Sequence, residues 1–199
     1  MSKEAQVTDL WQSNLQQHSQ LVECMRADAV LSKSIREAAA LLLSAVRRDA
    51  NLFVVGNGGS AADAQHFACE LAGRHRLNRR AVRAEYLFGN ASLLTALAND
   101  FSYDGALVRI LESRGRAGDV LIALSTSGNS GNILRAVAKA REWDMQVVGL
   151  TGESGGKLAE LCSVSLRVPS ADTPRIQEGH ILIAHALLEM IERDLTEGQ

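Results

Sequence analysis

The hydrophobic and polar positions give the chain two textures. Over the first fifty residues Trp11, Leu15, Val22 and Met25 recur at helical spacing and residues 35–46 carry a richer apolar stripe, which predicts two helices. No glycine occurs before Gly56. Beyond that, short apolar runs at residues 52–55, 84–88, 120–124, 146–150 and 164–168 predict five strands. Helical patterns lie between and after them, at 61–72, 92–98, 105–113, 132–142 and 175–195, with a short helix after a turn over 151–156. Asp172-Thr173-Pro174 reads as the cap and first turn of the last helix. Strands alternating with helices imply a parallel sheet covered on both faces. The expected architecture is α/β: a doubly wound five-stranded parallel sheet behind an N-terminal helical hairpin, one domain over residues 1–199.

Composition narrows the class. The chain has 199 residues, 46% hydrophobic and 22% charged, which suits one globular domain with a sizeable core and argues against disorder. Lys+Arg 21 against Asp+Glu 23 leaves a net charge of -2, so no general attraction to nucleic acid is expected. Three cysteines, Cys24, Cys69 and Cys162, are too few and scattered for a disulfide framework. Residues 1–9 lack the apolar core of a signal peptide, and the longest apolar stretch, 38–46, falls far short of the ~20 residues of a membrane span. A cytoplasmic protein with no membrane or nucleic-acid partner is the expectation.

In doubly wound sheets ligands bind beyond the carboxyl ends of the strands, at a topological switch point. Two strand-to-helix loops have suitable chemistry. Gly56-Asn57-Gly58-Gly59-Ser60 permits close backbone approach to an anion at a helix N-terminus, and equally serves as a tight turn. It matches the dinucleotide pattern G-x-G-x-x-A through Ala61, but Asn90 stands where the ribose-binding acid belongs, and no P-loop lysine follows. Ser125-Thr126-Ser127-Gly128-Asn129-Ser130 packs four hydroxyls into six residues. Such a loop is a Ser-rich turn or a phosphate cradle without fixed positive charge. Two polar loops on different strands favour a phosphorylated small molecule.

His66 and Glu70 stand i,i+4 on the helix after the first loop, while Gln177, His180 and His185 lie on the last helix. A carboxylate beside a histidine divides acid and base duties or holds Zn²⁺, and a lone histidine is more simply a core residue. Arg74, Arg76, Arg79, Arg80 and Arg83 read as a solvated basic loop, with an anion clamp as the sharper alternative. Cys69, Trp11 and Trp143 read as packing residues.

These residues, in this order, resemble the sugar isomerase (SIS) domain family, most closely its phosphoheptose isomerases. The likeness runs from about residue 51 to 194. It rests on the Gly56-to-Phe67 segment, on Leu94-Thr95-Ala96-Leu97-Ala98-Asn99-Asp100, on Gly118-Asp119-Val120-Leu121 leading into the serine loop, and on Val168-Pro169-Ser170 with Arg175-Ile176-Gln177-Glu178. The resemblance implies a flavodoxin-like SIS fold and aldose–ketose isomerisation of sedoheptulose 7-phosphate to D-glycero-D-manno-heptose 7-phosphate through an enediol, the first step toward heptose for surface polysaccharide. It implies Glu70 and His185 as the catalytic pair. Substrate-binding positions fall on Asn57, Gly58, Gly59, Glu70, Asn99, Asp100, Ser125, Thr126, Ser127, Ser130 and Gln177.

The resemblance also implies one zinc per subunit at His66, Glu70, Gln177 and His185, and a homotetramer with active sites at subunit interfaces, to which the helices of residues 1–50 contribute. Gln177 and His185 stand eight residues apart, about 12 Å along a helix, which is far for one metal. Gly89-Asn90, Glu85 and a missing proline near position 79 depart from the family pattern and bear on sugar preference. Two other readings come from the same family: a non-catalytic tetramer that binds the replication initiator protein, and a sugar-phosphate sensor. Glu70 and His185 favour the enzyme over the first.

Overall fold

The computed structural model describes residues 3–197. Two helices, α1 (Lys3–Ala27) and α2 (Ala29–Arg47), precede β1 (Leu52–Gly56), α3 (Gly59–Ala72), β2 (Ala84–Tyr86), α4 (Ala91–Asp100) and α5 (Tyr103–Arg114). The chain continues through β3 (Val120–Leu124), α6 (Gly131–Glu142), β4 (Gln146–Thr151), α7 (Gly156–Leu161), β5 (Val164–Arg167) and α8 (Thr173–Glu197). The strands form one all-parallel sheet in the order β2-β1-β3-β4-β5, so the expected architecture is the observed one.

Strand alternation splits the core into two layers. Leu52, Val54, Val120, Ile122, Val148 and Leu150 face α2, α3 and α8 and join one apolar cluster. Phe53, Val55, Leu121, Ala123 and Val147 face the opposite way, toward α4 to α7, in the other. Burial on both faces explains why β1 and β3 are continuous apolar runs rather than alternating ones. At the amino ends of β1 and β3, the buried Asp119 carboxylate accepts the N–H groups of Asn51 at 2.8 Å and Arg116 at 2.9 Å.

The differences from expectation have local causes. β2 stops at Tyr86, short of Phe88, and its Glu85 is exposed and paired with Arg114, which an edge strand permits. Asn90 caps α4 by accepting from Leu93 N–H at 2.9 Å, and the helix runs on to include Asn99 and Asp100. Cys69 and Trp11 are exposed rather than packed: Cys69 falls off the buried stripe Ala64–Phe67–Ala68–Leu71, and Trp11 joins Val7, Leu10 and Leu15 on an uncovered side of α1. Trp143 does pack against the second cluster. Among the described residues no helix is long and apolar enough to cross a membrane.

Candidate active site at the sheet switch point and the α3–α8 interface

From β1 the chain turns through α3 to β2 on one side, then crosses back to β3 on the other, so the switch point lies between β1 and β3. Gly56 and Leu124, the last residues of these strands, are register partners, so the glycine and serine loops emerge side by side. Gly58 sits at φ 55 ahead of α3, where a side chain would be strained, and Gly128 at φ 64 packs so closely that an added Cβ would lie 2.1 Å from Gly155 O.

The helices these loops lead into start without a side-chain cap, as α7 does, whereas three others are capped. Asp28, Asn90 and Ser102 cap α2, α4 and α5 with side-chain hydrogen bonds. Gly58 and Ser130 make none to α3 and α6. The leading N–H groups of both helices are therefore left without a side-chain acceptor at the end where an anion would sit.

The serine loop divides by role. Ser125 is buried and its hydroxyl pairs with that of Ser130 at 3.1 Å, which shapes the loop from within. Thr126 and Ser127 instead line a cavity of about 190 Å³ with Gly152, Glu153, Ser154, Ser170, Ala171, Thr173 and Ile176. Five of these nine residues carry hydroxyls and none carries a positive charge. Pockets for whole small ligands usually span roughly 300–1,000 Å³, so this cavity suits one end of a ligand, not all of it.

Asn57, in the glycine loop, is held by a reciprocal amide pair with Asn132 (2.8 and 2.9 Å), and its Oδ1 also accepts from the Tyr103 hydroxyl at 2.9 Å. Asn99 and Asp100 sit exposed at the end of α4, where the Asn99 amide donates to Asp100 at 3.1 Å. Among the described residues no hydrogen bond or ion pair joins them to the groups below.

The titratable residues gather where α3 packs on α8. On α3 the apolar stripe Ala64, Phe67, Ala68 and Leu71 turns inward, leaving His66 and Glu70 at its margin. On α8 the stripe Ile176, Ile183, Leu187 and Ile191 does the same for His185. The rings of His66 and His185 meet edge to face at 5.2 Å, and Glu70 Oε1 lies 3.7 Å from His66 Nε2. Burial holds the His185 imidazolium pKa below its usual range, His66 and His75 push the same way, and Glu70 opposes them. Its ring is therefore neutral near pH 7, with one nitrogen able to donate and the other to accept.

Sequence reasoning missed His75. Its Nδ1 lies 3.2 Å from the other Glu70 oxygen, and its ring stacks on His185 at 5.2 Å with 21° between planes. The loop that carries it is pinned by Glu192, which accepts the backbone N–H groups of His75, Arg76 and Leu77 at 2.7, 2.8 and 3.0 Å. Glu192 also faces Arg79 at 3.3 Å, and both side chains are sealed from solvent. Arg79 donates on to Gly73 O and Glu70 O at 2.8 and 2.7 Å, so it is a buried clasp and not part of a solvated loop. Arg76, Arg80 and Arg83 keep to the exposed side, paired with Glu189 and Asp49. The only sequence signal for this clasp was an acid on the inner stripe of the last helix.

Gln177 takes a different place. Its amide lies over Gly59, where an added Cβ would sit 2.4 Å from Gln177 Nε2. Gln177 thus neighbours Gly59 as His185 neighbours His66, so α3 and α8 run side by side in the same direction and the eight-residue gap is preserved. His66, Glu70 and His185 have donor chemistry suited to zinc. Among the described residues, however, no three His, Cys, Asp or Glu side chains are placed to hold one ion together, and Gln177 is at the far end of the row.

The SIS domain family matches residues 16–152 of the chain. The phosphoheptose isomerase of Mycobacterium tuberculosis (strain ATCC 25177 / H37Ra) is 51% identical over 168 residues, 84% of this chain and 86% of that protein. That of Geobacter sp. (strain M21) is 44% identical over 183 residues, 92% of this chain and 94% of that protein. The structure of phosphoheptose isomerase GmhA from Neisseria gonorrhoeae superposes with a TM-score of 0.87 at 39% identity, covering 94% of this chain and 99% of that one. A phosphoheptose isomerase from Francisella tularensis gives 0.85 at 32% identity, over 97% and 100%. Matches of that identity, reaching across nearly the full length of both partners, carry the fold and the family together: the chain belongs to the phosphoheptose isomerases of the SIS domain family.

Proposed function

We propose that this chain is a phosphosugar isomerase that converts sedoheptulose 7-phosphate to D-glycero-D-manno-heptose 7-phosphate. The observation that carries the reading is Glu70, a half-buried carboxylate set among His66, His75 and His185 in a chain of this family. Glu70 removes a proton from C1, beside the C2 carbonyl, and returns it to C2 of the resulting enediol. Neutral His185 donates its ring proton to the C2 oxygen and recovers one from the C1 hydroxyl. Hydrogen moves from C1 to C2 and from O1 to O2, and nothing is oxidised overall.

The phosphate is assigned to Thr126 and Ser127 and the uncapped start of α6, with Ser125 and Ser130 shaping that loop. Asn57, Gly58, Gly59 and Gln177 are assigned to the sugar between the cavity and the imidazoles. Asn99 and Asp100 share no hydrogen bond or ion pair with this row among the described residues, and their part in binding is assigned to a site completed by another subunit. A homotetramer is supported by the exposed apolar residues Val7, Leu10, Trp11 and Leu15 on α1 and by the small size of the cavity one chain provides.

Zinc, one per subunit, would be held by His66, Glu70 and His185 only after these side chains draw closer together, since as placed they do not share one ion. Held there, it would supply polarisation of the sugar oxygens. Ligation by Gln177 further requires its amide to leave Gly59, and metal analysis of the purified protein tests this. A cytoplasmic location accords with three free cysteines, and the product suits a route to heptose in surface polysaccharide.

The test is incubation of purified protein with sedoheptulose 7-phosphate, with and without Zn²⁺, following the aldose by NMR. Conversion that disappears in Glu70→Gln supports the enzyme and its base. Binding without conversion points to a sugar-phosphate sensor.

A further inference from the structure

The two oxygens of Glu70 are held unequally. Oε1 lies 3.7 Å from His66 Nε2, beyond a hydrogen bond, whereas Oε2 lies 3.2 Å from His75 Nδ1. A carboxylate only accepts, so the contact places the ring proton of His75 on Nδ1. Nε2 of the same ring is buried without a partner. That site suits a bare lone pair, since orphaned buried N–H groups are rarer than under-satisfied acceptors. The ring also stacks on His185, so His75 touches both groups assigned to proton transfer.

The backbone of His75 is equally constrained. Its N–H ends on Glu192, which is bound by the next two N–H groups and faced by Arg79, and Arg79 in turn donates to the carbonyl of Glu70. Arg79, Glu192, His75 and Glu70 therefore close a loop of contacts around the carboxylate. An unanchored glutamate samples many rotamers, and a base serves a carbon acid only when one oxygen is fixed in line with the proton.

We propose that His75 is a positioning residue of the isomerisation, its Nδ1–H anchoring Oε2 of Glu70 so that Oε1 is presented to the carbon-bound proton, and its ring setting the plane of His185. The inference rests on the reading of Glu70 as the base.

Two variants of the full-length protein separate this from a packing role. His75→Phe keeps an aromatic ring over His185 and removes the donor, whereas His75→Asn keeps an N–H donor near the Nδ1 position and removes the ring. For His75→Phe the expected result is a loss of about 10- to 100-fold in kcat for sedoheptulose 7-phosphate, with KM within about twofold of the parent. His75→Asn is expected to recover most of that loss. Unchanged kcat in His75→Phe, equal losses in both variants, or a change confined to KM overturns the proposal.

A second readout does not depend on turnover. In protein labelled with ¹⁵N-histidine, His75 is expected as the Nδ1–H tautomer, and Glu70→Ala is expected to release it. An Nε2–H tautomer in the parent overturns the positioning role even if the chain proves inactive, whereas retained activity in Glu70→Gln overturns the assignment of the base and, with it, the role of His75 in proton transfer.

Discussion

Arg79 Nε lies 3.3 Å from Glu192 Oε1, with the two side chains 0% and 1% exposed. A charge pair this deep stabilises little by itself, because desolvation offsets the attraction, but removing one partner strands the other. Removing Glu192 strands Arg79 and also leaves three backbone N–H groups beneath the active site without their acceptor.

Glu192→Ala is therefore expected to cost about 3–5 kcal/mol. Denaturant unfolding measures the loss, and hydrogen exchange locates it. The amides of His75, Arg76 and Leu77 should exchange faster in the variant. Unaltered protection there would count against the clasp.

His180 sets an acid limit on stability. Its Nε2–H donates to Thr151 O at 3.2 Å, its Nδ1 is buried without a partner, and burial pushes its pKa down to about 4 against that bond. The unfolded chain, with an ordinary histidine near 6.5, takes the proton first as pH falls. The contribution is thus complete above pH 6.5 and disappears as pH drops toward 4, a loss of about 3 kcal/mol. Replacement by Gln, which can reach the same carbonyl, should flatten this decline when urea unfolding is compared at pH 7.5 and 4.5. Parallel declines in parent and variant would contradict it.

Ser127→Ala removes one hydroxyl from the proposed phosphate cavity without touching the imidazoles. A hydrogen bond to a charged group is worth roughly 1.5–3 kcal/mol, so KM should rise about 10- to 100-fold with kcat nearly unchanged. Steady-state kinetics and competition by inorganic phosphate give the answer. Unchanged KM would take the serine out of the site.

Cys162 should resist thiol reagents at pH 8 when Cys24 and Cys69 react. Burial pushes its thiol up to about 12, and the sulfur lies 3.1 Å from Leu158 O, whereas the other two cysteines are exposed. Mass spectrometry after brief alkylation resolves the three. Early labelling of Cys162 would show that the α7–β5 corner opens.

Much of this protein was legible in its sequence because the relevant forces are local. Runs such as Leu-Phe-Val-Val and Val-Leu-Ile-Ala-Leu have no polar position to turn to water, so they fit only strands covered on both faces. The glycine and serine loops carry their chemistry in adjacent residues, and the i,i+4 spacing of His66 and Glu70 sets them on one side of a helix before any packing is known.

Tertiary structure decided what those groups meet. His75 contacts Glu70 across a loop that Glu192, 117 residues further on, holds in place, and a bond over that separation leaves no periodic trace. The same reasoning covers the errors. Nothing local distinguishes a buried Arg79 from its solvated neighbours, or a packed Trp11 from an exposed one. Helix spacing assigns a residue to a side of its own helix, and only the packing of α3 against α8 determined which groups those sides bring together.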